Sequence, residues 1–450
     1  MRMGRVARGE PIGAAQWLAG ARDVNSFRLQ GIMVFPSSTM RFLAKHGAFL
    51  GLFAALQLPS LQSLAKFAPV PGIAVPAFLL AASMGLWLLL DPPERLKRWL
   101  DTAWPSVSLV GGLALVAVFI YPIADGRKQR GAGSDADDAM ILAGRALAEL
   151  HNPYASTTYL GNPFSPGPGW VALWAPLSAL GAYALITALA LAATVLALRF
   201  TQHGWSQTNT LALSLFSCVL LWELAATGND LPAWGLLVLC AALVLEQPRV
   251  SKGLLVALTA LLGCLATARI AFSHVPLLIG FSLLPVKPRR ALVVAVGGTA
   301  IALLLHAVFW RMNPAWYPPL HLMGQARRLL SGSSLVVALG FLGAVAAWML
   351  RRWRAWPPTL HLAWGLGAPM LALAVADLLQ RGGLPRWRGA TYLVTSLPAV
   401  AYALLGRVRR DLPRGARAGA TPAGQVPSPT GRDAPRAGAG QAASALAAGR

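Results

Sequence analysis

Asp135, Asp137 and Asp138 put three carboxylates within four residues of a chain that is otherwise sparing with charge. A carboxylate held about 3 Å from a hydroxyl can take its proton as that hydroxyl attacks. Acids in a first helical turn also have a plainer use, complementing the helix dipole for about 0.3–1 kcal/mol each. One or two would serve that purpose. Three beside Ser134 exceed it, so at least one is read as catalytic.

The residues that follow form a turn-rich strip. His151-Asn152-Pro153-Tyr154 leads to Thr158-Tyr159-Leu160-Gly161-Asn162-Pro163 and then to Ser165-Pro166-Gly167-Pro168-Gly169. Prolines fix the backbone and glycines allow close approach. Amides, hydroxyls and aromatic faces in such a strip suit a sugar, whereas a strip used only as packing would serve as a wound cap on a helix bundle. Cations lie around these residues, among them Arg127, Lys128, Arg130, Arg145, Arg269, Arg327, Arg328, Arg381, Arg386 and Arg388. A guanidinium grips phosphate bidentately.

The elements that must hold these groups are helical. Ser134 as N-cap and Asp137 three residues on make a capping-box pattern, which predicts a helix over about 135–150. With 3.6 residues per turn, Asp135, Asp138, Arg145 and Glu149 share one face, Met140, Ala143, Leu147 and Leu150 the other, and Asp137 points elsewhere. This is an amphipathic helix lying on a membrane. It sits within a long loop, 125–168, between apolar runs. The runs are near 47–64, 71–90, 105–124, 181–199, 208–226, 232–246, 253–268, 273–285, 291–310, 334–350, 359–380 and 389–406. A crossing takes about 20 mostly apolar residues, and only helices or closed barrels satisfy the backbone in lipid. The reading is therefore an all-α, polytopic transmembrane bundle of about twelve spans, in a range of 10–13. Basic clusters at Arg95/Lys97/Arg98, Arg249/Lys252, Lys287/Arg289/Arg290, Arg351/Arg352/Arg354 and Arg407/Arg409/Arg410 fall on one side if the spans alternate. That side is the cytoplasm, and both termini lie there. Loop 125–168 is then on the outer face.

Composition agrees. The 450 residues are 56% hydrophobic and 12% charged, about half the charge of a soluble domain. The net charge of +23 is spread between apolar runs, so it points to basic loops and not to nucleic acid. The three cysteines, Cys218, Cys240 and Cys264, suggest neither a disulfide framework nor a zinc site. No Walker motif, HExxH or helix-opening GxGxxG occurs. Residues 1–40 read as a polar, disordered leader without a signal-peptide core, with Met33 and Met40 as alternative starts. The transmembrane domain is expected over 41–410. Residues 411–450, rich in Ala, Gly, Pro and Arg, read as a disordered cytoplasmic tail.

The run GSDADDAMILAGRALAELHNPY, followed by TYLGNPFSPGPG, resembles the membrane-embedded GT-C glycosyltransferases, most closely the polyprenol-phosphate-mannose-dependent α-mannosyltransferases of family 87. The resemblance covers about 105–405. Thr227-Gly228-Asn229-Asp230 is similar to the family's Gly-Gln/Asn element, Ala268-Arg269 to His274-Val275-Pro276 to its basic-residue-then-proline element, and Tyr392 to Pro398 to its late Tyr-Leu pattern. Ser165-Pro166-Gly167-Pro168 replaces the family's Tyr-Pro-Pro, Arg269 its lysine and Asn229 its glutamine. The resemblance implies a hexosyltransferase of the plasma membrane. Its donor is a sugar on a polyprenyl phosphate, and its acceptor a glycolipid or glycan. It implies Asp135 as base, Asp138 as alternative or helper and Asp137 third. Arg269, Arg327 and Arg328 would hold the phosphate, with Arg386 and Arg388 behind them. Arg145, Asn152, Tyr154, Tyr159, Asn162, Asn229, Asp230 and His274 would line the substrate site, and His321 is a further candidate hydrogen-bonding group. No metal is demanded, although clustered aspartates suit Mg²⁺ or Mn²⁺. The rival readings are a secondary transporter, which twelve spans with both ends inside would also suit, and a non-catalytic polytopic protein. Charges gathered at the outer rim, with no repeat between the halves, favour the transferase.

Overall fold

The computed structural model describes residues 37–68, 70–130, 135–201, 203–312, 317–320, 324, 332–381 and 383–411. Ser134, His321, Arg327, Arg328, the leader before residue 37 and the tail after 411 lie outside the described residues, as does nearly all of 313–331.

No strand occurs among the described residues; one isolated bridge joins Thr157 to Pro163. The chain is an all-α bundle. In order it runs through α1 (Ser37–Gln57), α2 (Ser60–Phe67), α3 (Pro71–Leu90), α4 (Glu94–Leu100), α5 (Trp104–Lys128), α6 (Ala136–Ala148), α7 (Pro168–Ala179), α8 (Tyr183–Phe200), α9 (Trp205–Leu215), α10 (Val219–Ala226), α11 (Leu231–Glu246), α12 (Lys252–Thr267), α13 (Val275–Leu283), α14 (Pro288–Met312), α15 (Ser333–Arg351), α16 (Pro358–Arg381) and α17 (Ala390–Asp411). Seven helices among the described residues are long and apolar enough to cross a membrane: α3, α5, α8, α14, α15, α16 and α17. Two bent pairs raise that to nine: α1 with α2, turned by 44°, and α9 with α10, turned by 76°. The apolar stretches at 231–245, 252–267 and 270–283 are shorter, at 10–17 residues.

Local chemistry explains the breaks. Pro59 starts α2, and its ring cannot continue α1. In α5 a π turn at Val116–Ile120 precedes Pro122, loosening the ladder where proline withholds its N–H. α3, α5, α14 and α15 leave most of their apolar surface facing outward, while α8 and α17 bury more than half of theirs. Lipid solvates the first set, and water would not. These features make the chain a multi-pass membrane protein.

The packing that matters for chemistry is at one end. α6 lies against α7, burying Met140 and Ala143. Gly144 is pressed so close to Ser178 that a Cβ would stand 2.6 Å from its Oγ. At Gly167 a Cβ would collide with the Thr267 carbonyl, so the proline-glycine strip seats α7 directly on α12. Beneath it Trp170 Nε1 donates to Asp230 Oδ2 at 2.6 Å, and Arg269 Nη2 pairs with Asp230 Oδ1 at 2.9 Å.

Candidate active site

The helix carrying the acids begins one residue later than the pattern predicts. Asp135 is the residue before α6, with φ −103° and ψ 9°, and its side chain makes no capping bond. The carboxylate turns outward instead. Its Oδ2 accepts from Thr158 Oγ1 at 2.8 Å and from Asn162 Nδ2 at 2.7 Å. The strip after α6 therefore holds Asp135 from the side. Leu150 makes this return possible. It closes α6 at φ 58°, with His151 N–H donating to Ala146 O and Leu150 N–H to Leu147 O, the paired bonds of a Schellman turn.

Asp137 does not point away from Asp138, contrary to the helical-face reading. Both reach Lys128, whose Nζ lies 2.7 Å from Asp137 Oδ2, 2.6 Å from Asp138 Oδ1 and 2.5 Å from Asp125 Oδ1. The ammonium, one turn after Asp125 on α5, draws the two side chains together. Tyr121 O–H also donates to Asp137 Oδ2, at 2.7 Å. Asp137 is 1% exposed, and its Oδ1 has no hydrogen-bond partner. Burial pushes its carboxyl up to about 6, against the opposing pull of Lys128. Asp138 and Arg145 share a face as expected and line a small cavity with Tyr121, Lys128 and Ser178. Arg145 Nε donates to Ser178 O at 3.2 Å.

The oxygens of Asp125, Asp137 and Asp138 lie within 4.8 Å of one another, a hard donor set of the kind Mg²⁺ or Mn²⁺ takes. Lys128 stands among those oxygens and supplies the positive charge there.

Asp135 faces a second, larger cavity of about 800 Å³. Its polar wall comes from α2, the end of α5, α10 and the segment between α16 and α17. The cations are Lys66, Arg127, Arg381, Arg386 and Arg388, and the carboxylates on its wall, among the described residues, are Asp135 and Glu223. Glu223 is spoken for by Lys66 at 2.9 Å and by the Ser63 hydroxyl at 2.5 Å. Arg381 pairs with Asp377 at 2.5 Å. Arg127, Arg386 and Arg388 make no ion pair among the described residues, and neither does Asp135. Among the described residues the cavity thus presents one carboxylate and three guanidiniums without an ion pair to whatever enters it. Asn162 and Asn229 line it too. Tyr159 is exposed beside it, its ring 5.7 Å from Lys128 Nζ.

Other residues named from the motifs lie elsewhere. Asn152 accepts from Tyr154 N–H in a local turn. Tyr154 is in the core, donating to Pro166 O at 3.0 Å and packing edge-on against Phe309 and Tyr317. Asp230 and Arg269 satisfy each other at 1% and 7% exposure, so neither reaches the cavity. His274 opens α13 away from it, with Nε2 buried and unpartnered. Lys66, Asp125, Lys128 and Glu223 belong to the site although no motif names them. Of these, Lys128 stands out in sequence as one of the cations around the acids.

No protein-family model, no curated protein and no solved structure matches this chain.

Proposed function

We propose that the chain is a GT-C-type glycosyltransferase of the plasma membrane, crossing it twelve times with both termini in the cytoplasm. It moves a hexose, mannose in first place, from a polyprenyl phosphate to a glycolipid or glycan acceptor at the outer face. One observation carries the reading: Asp135, without an ion pair among the described residues, shares a single cavity with Arg127, Arg386 and Arg388, which likewise have none among them. General-base chemistry and phosphate binding need that juxtaposition.

In the proposed reaction the acceptor hydroxyl loses its proton to Asp135 as its oxygen attacks the sugar's anomeric carbon. The bond from that carbon to the phosphate oxygen breaks, and the polyprenyl phosphate leaves with the electron pair. Arg386, Arg388 and Arg127 stabilise the charge that develops on it. Thr158 and Asn162 hold the base in place. Asn162 and Asn229 are available to sugar hydroxyls. The step needs no metal.

The test is transfer of label from radiolabelled polyprenyl-phosphate-mannose to native lipid in proteoliposomes. The wild type should make a labelled product, and Asp135→Asn should lose activity by about 10²–10⁴-fold. Arg386→Gln with Arg388→Gln should raise KM for the donor. Equal transfer by Asp135→Asn would move the base elsewhere, Asp138 first. No transfer by the wild type from mannose or glucose carriers would overturn the reading.

A further inference from the structure

A third cavity, of about 550 Å³ and with polar groups on its wall, lies at the other end of the bundle. It is walled by α8, α9, the start of α16 and the end of α17. His203 braces its wall, with Nδ1 2.8 Å from Thr201 Oγ1 and Nε2 2.9 Å from Tyr402 O–H. An apolar groove of about 340 Å³ between α1, α16 and α17 meets this cavity at Leu360, Ala403 and Arg407. On α17 the groove runs from Leu393 to Arg407, about 21 Å at 1.5 Å per residue. Its floor is open because Gly51 and Gly367 withhold side chains where Leu404 and Val400 stand at ordinary contact distance.

A polar chamber joined to an apolar groove has the shape of an amphiphile. Its charge is equally specific. No carboxylate among the described residues lines either part. Arg407, at the junction, makes no ion pair among the described residues, and the Gln207 amide in the chamber has no hydrogen-bond partner among them. Trp356 stands on the wall beside exposed Arg351, Arg352 and Arg354. An indole beside a basic cluster marks the headgroup level of a leaflet rich in anionic lipid.

We propose that cavity and groove together bind one acidic phospholipid, its phosphate held by Arg407 and Gln207 and one acyl chain lying in the groove. The site is distinct from the cavity of Asp135, since Arg407 lies about 24 Å along α17 from Thr391 on that cavity's wall.

The experiment is native mass spectrometry of the full chain, purified through delipidating detergent from membranes holding both acidic and zwitterionic phospholipids. The wild type should retain about one acidic phospholipid per chain. Arg407→Gln, at a helix end, should lower that retention roughly tenfold. Gly367→Leu, which fills the groove, should lower it as well, and Asp135→Asn should retain it. The proposal is overturned if the wild type retains no lipid, if the retained lipid is zwitterionic or a polyprenyl phosphate, or if Arg407→Gln retains as much as the wild type. Sugar transfer does not enter the readout, so this site and the proposed activity can fail separately.

Discussion

Asp137 shows how burial and charge compete at a single residue. Lys128 and Tyr121 both favour its ionised form, yet burial outweighs them and leaves its carboxyl near 6. An acid that holds its proton more tightly folded than unfolded stabilises the fold most below its unfolded value, about 4. That contribution disappears as pH rises through about 6. The melting temperature of the solubilised protein should therefore fall as pH is raised from about 4 to about 7, and Asp137→Asn, neutral at every pH, should flatten that part of the curve. A slope unchanged by the substitution would assign the titration to another group. The same residue explains a limit of pattern reading. Helical spacing separates Asp137 from Asp138, but spacing says nothing of a cation arriving from the preceding helix. Lys128 comes from α5, and its reach decides where both carboxylates go.

At the scale of elements, the amphipathic α6 was legible because Met140 and Ala143 repeat at helical spacing and both are buried. Its exact start was not, since Asp135 gives its carboxylate to Thr158 and Asn162 instead of the helix. The end of α6 holds a cost. Leu150 adopts φ 58° in a turn that glycine would close freely, and it is 92% exposed. A left-handed residue with a Cβ costs about 1–2 kcal/mol, offset in part by the greater entropy glycine has when unfolded. Leu150→Gly should thus raise stability by about 0.5–1 kcal/mol, measured by denaturant titration, and a loss would show that the exposed leucine packs on lipid. The neighbouring turn is tighter. Gly228, at φ 66°, brings its Cα so near Tyr121 and Asp137 that a Cβ would lie 2.7 Å from the ring and 3.0 Å from the Asp137 Cβ. The Thr227–Asp230 element therefore shapes the acid cluster through backbone approach, and Asp230 itself turns inward to Arg269 and Trp170. A buried carboxylate beside a buried guanidinium reads in sequence like two substrate ligands, because sequence does not reveal that they meet each other.

For the whole molecule the governing fact is that the two ends gather different sets of charged groups. Asp135, Glu223 and five cations meet around one cavity although they come from five separate stretches of chain. Lys66 and Glu223 join α2 and α10, the second segments of the two bent pairs, and it is the bends of 44° and 76° that bring those segments to the cavity. Apolar runs announce such helices, but neither the bend nor the partner across it has a sequence period. The opposite end carries Arg351, Arg352 and Arg354 in the turn before α16, and Arg407 near the end of α17. Basic residues favour the cytoplasmic side because moving them outward opposes the membrane potential and the insertion machinery. Basic clusters on one side of alternating crossings predict a fixed orientation. In cells, a membrane-impermeant maleimide should label Leu150→Cys without permeabilisation and Arg354→Cys only after it. The native thiols are a weak background, since Cys218 is buried and Cys240 and Cys264 are half-buried. Labelling of both positions from the same side would end the outer placement of Asp135 and the twelve-crossing arrangement together. Labelling in the reverse sense would keep the crossings and turn the cationic cavity toward the cytoplasm, where a donor presented at the outer face could not reach it.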